Sequence, residues 1–162
     1  MANTFFKINT VTVGAGGAAT IAFNVIPQIY SDLKIIYSGR NVNNAYTFSI
    51  ALNGTTVTQS RRFYATGSSG ASDTYNGMYT DYSGAVANSF GNAEINIFNY
   101  SASTAKSLAV DAVSEDNYSS AYMNLGALLS TTTIPISSVS LIPESGNFAQ
   151  YSSATLYGVK RL

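Results

Sequence analysis

From Tyr46 to Asn53 the chain alternates without a break: Tyr46, Phe48, Ile50 and Leu52 fall on one face, Thr47, Ser49, Ala51 and Asn53 on the other. Apolar positions two residues apart define a strand with one face toward a core and one toward water. Asn53-Gly54 follows. Both residues tolerate φ > 0, so the pair predicts a tight hairpin turn, with Thr55-Thr56-Val57-Thr58 as the returning strand.

The same period recurs along the chain. Phe6 and Ile8, then Val11 and Val13 after a phase change at Asn9-Thr10, predict a first strand with a bulge. Gly14-Ala15-Gly16-Gly17 reads as a turn. Ile21, Phe23 and Val25 predict a strand stopped by Pro27, and Leu33, Ile35 and Tyr37 one ended by Gly39. Further strands are expected around Ile95 and Ile97, from Leu108 to Ala112, from Tyr122 to Leu129, around Val139 and Leu141, and from Thr155 to Val159. The stretch Tyr122 to Leu129 is apolar enough for a central strand. Pro27 to Leu33 has room for one short helical turn, and no longer window has a 3.6-residue period. Some nine or ten short strands joined by Gly and Asn turns predict an all-β, single-domain antiparallel β-sandwich, jelly-roll-like. An immunoglobulin-like sandwich ranks second, since no Cys…Trp…Cys core exists.

The segment from Arg61 to Asn92 departs from this rhythm. It holds Gly-Ser-Ser-Gly at 67–70, Asn-Gly at 76–77, Gly-Ala at 84–85, and the aromatics Tyr64, Tyr75, Tyr79, Tyr82 and Phe90. It reads either as a long surface loop with a short hairpin or as an insertion that forms a contact arm. Tyr mixed with Ser and Gly makes adaptable interfaces at low entropic cost, and the five aromatics would be its anchors. Arg40, Arg61 and Arg62 read either as surface arginines or as interface forks on carboxylates such as Asp32 or Asp81.

Composition changes the picture in two ways. Charged residues are 10% of the 162 positions, and eight basic groups cancel eight acidic ones; an ordinary soluble domain carries about 25%. A neutral surface with few charges is poorly protected against association. Part of it is therefore expected to lie against copies of the chain or a partner. The basic residues are scattered, which argues against nucleic acid. No apolar window approaches the roughly 18 residues of a membrane helix, and no charged segment precedes an apolar run as in a secretory leader.

Chemistry is restricted by what is missing. There is no His, Cys or Trp. That removes Ser-His-Asp and Cys-His catalysis, zinc sites and disulfides. Gly14-Ala15-Gly16-Gly17 lacks the third glycine of a dinucleotide loop and leads into a strand pattern. Nothing in the spacing pairs two carboxylates as glycoside hydrolysis requires. Asp111, Glu115 and Asp116, with Asn117, form either a solvated strand end or a calcium site, which would need about six to eight oxygens. No enzymatic activity and no cofactor are expected.

Three stretches carry a resemblance: IAFNVIPQIYSDLKIIYSGR at 21–40, IALNGTTV at 50–57 and SVSLIPESGNFAQYSSATLYGVKRL at 138–162. Together they resemble small all-β virion proteins of tailed bacteriophages, especially of marine and cyanobacterial phages. The resemblance covers both ends and the first hairpin, not residues 61–92. It implies a structural protein made in the host cytoplasm and placed in the virion. The first expectation is a capsid decoration (cement) protein, a homo-oligomer, commonly a trimer, contacting the major capsid protein. The alternative is a tail-fibre or receptor-binding module that recognises a host glycan or protein. It also implies that the final TLYG strand completes the sheet, with Lys160, Arg161 and Leu162 at its edge.

Overall fold

A computed structural model of the chain describes residues 4–67, 69–115 and 121–160. The strands are β1 (Phe5–Thr12), β2 (Ile21–Phe23), β3 (Asp32–Gly39), β4 (Thr47–Leu52), β5 (Thr55–Thr56), β6 (Gln59–Thr66) and β7 (Ser69–Asp73). There follow β8 (Met78–Tyr79), β9 (Gly91–Ile97), β10 (Lys106–Glu115), β11 (Ala121–Ser130), β12 (Val139–Pro143) and β13 (Ser153–Val159). No helix occurs among the described residues. The larger sheet runs β1-β13-β3-β9-β10-β11-β6-β7; the smaller runs β2-β12-β4-β5, with β8 also on β4. Every strand pairing is antiparallel.

Eight of these strands form a framework: β1, β2, β3, β4, β8, β9, β12 and β13. Numbered one to eight in chain order, they lie as one-eight-three-six in the larger sheet and two-seven-four-five in the smaller. That is the double Greek-key winding of a jelly roll. Two hairpins, β6–β7 and β10–β11, are additions. They continue the larger sheet beyond β9, so half of that sheet is framework and half is extension.

One apolar cluster fills the space between the layers. Leu33, Ile35, Ile95, Ile97, Leu108 and Leu156 enter it from the larger sheet, and Ile21, Phe23, Ile50, Leu52, Val139 and Leu141 from the smaller. Tyr37 stands at its centre, with its ring centroid 4.6 Å from that of Phe48 and 5.8 Å from that of Phe148.

All ten expected strands form, with three more, β6, β7 and β8, in and just before residues 61–92. That segment holds a short hairpin, β6–β7, built into the sheet, followed by a mostly irregular stretch from 74 to 90 that contains β8. Its alternation is disguised because Arg62 and Tyr64 take the inward positions that Ile or Val usually holds. The Asn53-Gly54 turn has φ of 48° and 80°, as a type I′ turn requires. The expected bulge falls at Ile8, where the β1–β13 register shifts between Lys7 and Asn9.

Other expectations need correction. Residues 27–33 make no helical turn. Their carbonyls and flanking groups find partners elsewhere: the Gln28 amide donates to Ile26 and Ile136 carbonyls at 2.8 and 2.9 Å, and the Tyr100 hydroxyl donates to the Pro27 carbonyl. Strand β4 is buried on both faces, because residues 75–77 and Glu144 lie over its polar side. There the Thr47 hydroxyl donates to the Glu144 carboxylate at 2.6 Å and sits 3.3 Å from the Tyr75 hydroxyl. Tyr46, taken as an inward strand residue, lies outside β4 and is exposed. Strand β13 is interior, between β1 and β3; the sheet's free edges are β1 and β7. The Lys160 amide continues the pairing to the Thr4 carbonyl at 3.0 Å. Arg161 and Leu162 lie outside the described residues.

Candidate functional site

The outward face of the extension is apolar. On β11, Met123, Leu125, Ala127 and Leu129 all point away from the core. Strand β10 adds Ala109 and Val113, and β6 adds Phe63 and Ala65 in the matching rows. Phe63 is 73% exposed, Leu125 50% and Met123 45%. Leu125 lies opposite Phe63 on one side and Asp111 on the other. Ala127 lies opposite Arg61 and Ala109. An open groove of about 660 Å³ follows these rows, with Ala109, Gly126 and Ala127 along it and Phe63 and Leu125 at its side. Isolated exposed apolar residues are ordinary, but a contiguous patch of this kind marks an interaction surface. The framework half of the same face is mixed: Lys7, Thr10, Lys34, Glu94, Asn96 and Thr155 share it with Phe5, Ile36 and Tyr157, and Lys34 and Glu94 pair at 2.6 Å.

The inward face of the same strands is built differently. Arg62 is 7% exposed. Its Nε donates to Asp73 Oδ1 at 2.8 Å, its Nη2 to Asp73 Oδ2 at 3.1 Å and its Nη1 to the Gly77 carbonyl at 2.8 Å. The guanidinium carbon lies 4.8 Å from the ring centroids of Tyr64 and Tyr75 and 5.1 Å from that of Tyr79. Tyr79 in turn packs on Tyr46 and Tyr122, with centroids at 6.0 and 5.2 Å, and Tyr46 meets Tyr82 at 6.0 Å. A planar cation with five donors suits this position, since it satisfies a carboxylate in its plane and rings on its faces. The cluster locks the β6–β7 hairpin onto the chain leading into β8.

The electrostatics follow. The hydrogen bond from Arg62 holds the Asp73 carboxyl below the usual carboxylate range. Burial opposes the charge on Arg62, but the bond to Asp73 and the nearby charges outweigh it, leaving the guanidinium more firmly protonated than usual. Burial raises the phenols of Tyr37, Tyr75, Tyr79 and Tyr100. A raised phenol binds its proton more tightly in the folded state. Its contribution to stability is complete below the unfolded pKa of about 10 and declines as pH rises through the folded value. Absorbance titration at 295 nm is therefore expected to show two classes of tyrosine, the late class ionising as the protein unfolds in alkali. A single transition for all tyrosines in still-folded protein would contradict this.

The proposed contact residues thus separate. Arg62 and Tyr79 are interior, so they brace the surface and do not meet a partner directly. Tyr64, Tyr82 and Phe90 are half-buried, and Tyr75 is exposed on the side away from Arg62. Arg61 alone of the three arginines stands on the apolar outward face. Arg40 is no carboxylate fork. Its guanidinium donates to the carbonyls of Ser83, Ala85, Val86 and Ser89 at 2.7–3.4 Å, tying down the loop before β9.

Of the acidic trio, only Asp111 and Glu115 lie among the described residues, and they are well separated. Asp111 and Glu115 lie four residues apart on one strand, about 13 Å at ordinary strand rise. The Glu115 carboxylate accepts the Val86 amide at 2.7 Å. Asp116 and Asn117 lie outside the described residues. No group of three or more acidic, His or Cys side chains is placed to hold a metal among the described residues.

Sequence reasoning passed over Phe63, Val113, Met123, Leu125 and Leu129 as surface residues. The signal was the apolar content of β11, where Met123, Leu125, Ala127 and Leu129 alternate and which reads as a central strand. No family model matches the chain, and neither a curated protein nor a solved structure matches it.

Proposed function

We propose that the chain is a non-enzymatic structural subunit of a bacteriophage virion, a capsid decoration protein that self-associates and stiffens the shell by docking its broad sheet face. The observation that carries this is the apolar outward face of β10, β11 and β6, borne on strands added to a complete jelly roll. The low charge of the whole chain and the resemblance at its two ends support the same reading. Binding would come from burying Phe63, Met123 and Leu125, while Arg62 and its tyrosines hold those side chains in place.

Electron cryomicroscopy of the intact virion tests this assignment. The expected result is many copies of the chain on the icosahedral shell, with the extension face against a neighbour. A few copies at the tail would instead favour a receptor-binding module, and none on the particle would overturn both. A substitution separates binding from folding. Leu125→Lys lies on an exposed position, where changes cost roughly 0.5 kcal/mol or less. It is expected to leave the thermal midpoint nearly unchanged and to abolish association, checked by thermal melting and sedimentation of the same sample. Undiminished association would remove the surface from the account.

A further inference from the structure

Resting on that reading of the face, we infer that its occupant is a second copy of this chain, related by a twofold axis that crosses β11. The argument comes from the two charges on an otherwise apolar patch. Arg61 and Asp111 lie in adjacent rows on opposite sides of β11. Two strand spacings and two residues separate their backbones, about 12 Å, and their side chains do not pair with each other. Neither belongs to the ion pairs formed among the described residues, Lys34–Glu94 and Arg62–Asp73. The nearest other charges on the face, Lys34 and Glu94, already neutralise each other.

A purely apolar partner would strip water from both charges and return nothing, which is costly. A copy of the same face solves the problem. An axis lying in the interface and passing between Leu125 and Ala127 sets each Arg61 on the other chain's Asp111, so two ion pairs form at once. The cluster of Phe63, Leu125 and Met123 lies beside that axis and packs on its counterpart. Such a contact is isologous, the same patch used twice. The area is enough for a small interface: β10 and β11 have ten residues each, β6 eight and β7 five, which at ordinary strand rise and spacing gives roughly 540 Å² per copy. Two copies together bury about 1,100 Å², just above the roughly 1,000 Å² a specific contact needs. The product is a dimer. The trimer implied by the resemblance needs two unlike patches, and this face supplies both charges itself.

Sedimentation velocity on the wild type and on Arg61→Asp, Asp111→Arg and the double exchange tests the geometry, with thermal melting of each to confirm folding. Wild type is expected to sediment as a dimer. Each single change sets like charges together twice and is expected to weaken association roughly tenfold or more. The double exchange is expected to restore the dimer. A trimeric or monomeric wild type, or a double exchange no better than the singles, would overturn the twofold. If Leu125→Lys still abolished association in that case, the surface reading would stand and only the twofold would fall. If Leu125→Lys had no effect either, both would fall.

Discussion

Arg62→Ala is expected to cost about 3 kcal/mol of folding stability, the range for breaking a buried charge pair by removing one partner. The change removes both bonds to Asp73 and the bond to the Gly77 carbonyl, and leaves three tyrosine faces without their cation. Arg62→Lys is expected to recover little, because an ammonium cannot fork onto a carboxylate and lie flat between rings. Asp73→Asn should cost less, about 1 kcal/mol or below, since the Asp73 side chain is 35% exposed and water screens it. Urea unfolding at constant m-value measures the series. A loss under about 0.5 kcal/mol for Arg62→Ala would show that the cluster is packing without consequence. The variant should also associate more weakly than wild type, because Phe63 sits on the strand that Arg62 anchors.

Phe148→Ala is expected to cost about 3–5 kcal/mol, as for other fully buried aromatics. Phe148 is wholly buried and its ring meets Tyr37. Its backbone exchanges hydrogen bonds with Ala18 at 2.8 and 3.1 Å, so one residue fastens the loop before β13 to the loop before β2. Tyr37→Phe makes a contrast. It removes only the contact between the Tyr37 hydroxyl and the Thr80 hydroxyl at 2.8 Å, while Thr80 still donates to the Gly39 carbonyl at 2.8 Å. A loss of about 1 kcal/mol is expected there. The comparison by thermal or urea unfolding fails if the two substitutions cost the same.

The framework strands were legible because their inward residues are aliphatic or Phe. Ile21 and Phe23, Leu33 and Ile35, Phe48 and Ile50, and Val139 and Leu141 announce themselves by spacing alone. In the extension β10 and β11 were expected as strands, but the β6–β7 pairing and the exposure of the outer face were not, for two separate reasons. In β6 the inward positions belong to Arg62 and Tyr64, whose burial depends on Asp73, Tyr75 and Tyr79, and no local pattern foretells those partners. In β11 apolar residues occur on both faces, with Asn124 buried on the inner one, and periodicity cannot tell a strand covered on both sides from one covered on a single side. Burial depends on what lies above the sheet. The smaller sheet and residues 75–79 reach one face, and among the described residues no other element covers Phe63 or Leu125 on the other, where they are 73% and 50% exposed. Within the Tyr-rich segment the side chains divide: Arg62 and Tyr79 lie inside, and Phe63 and Arg61 stand on the outward face.

The most direct test of the central claim, that the outward face of the extension is covered in the working assembly, is hydroxyl-radical footprinting of Phe63, Met123 and Leu125 across a concentration series from low to high micromolar. The account predicts that oxidation of these three falls together as concentration rises, while exposed Tyr151, in the loop before β13 and outside these rows, keeps a constant rate. Oxidation rates of Phe63, Met123 and Leu125 that stay as constant as that of Tyr151 across the whole concentration series would contradict it.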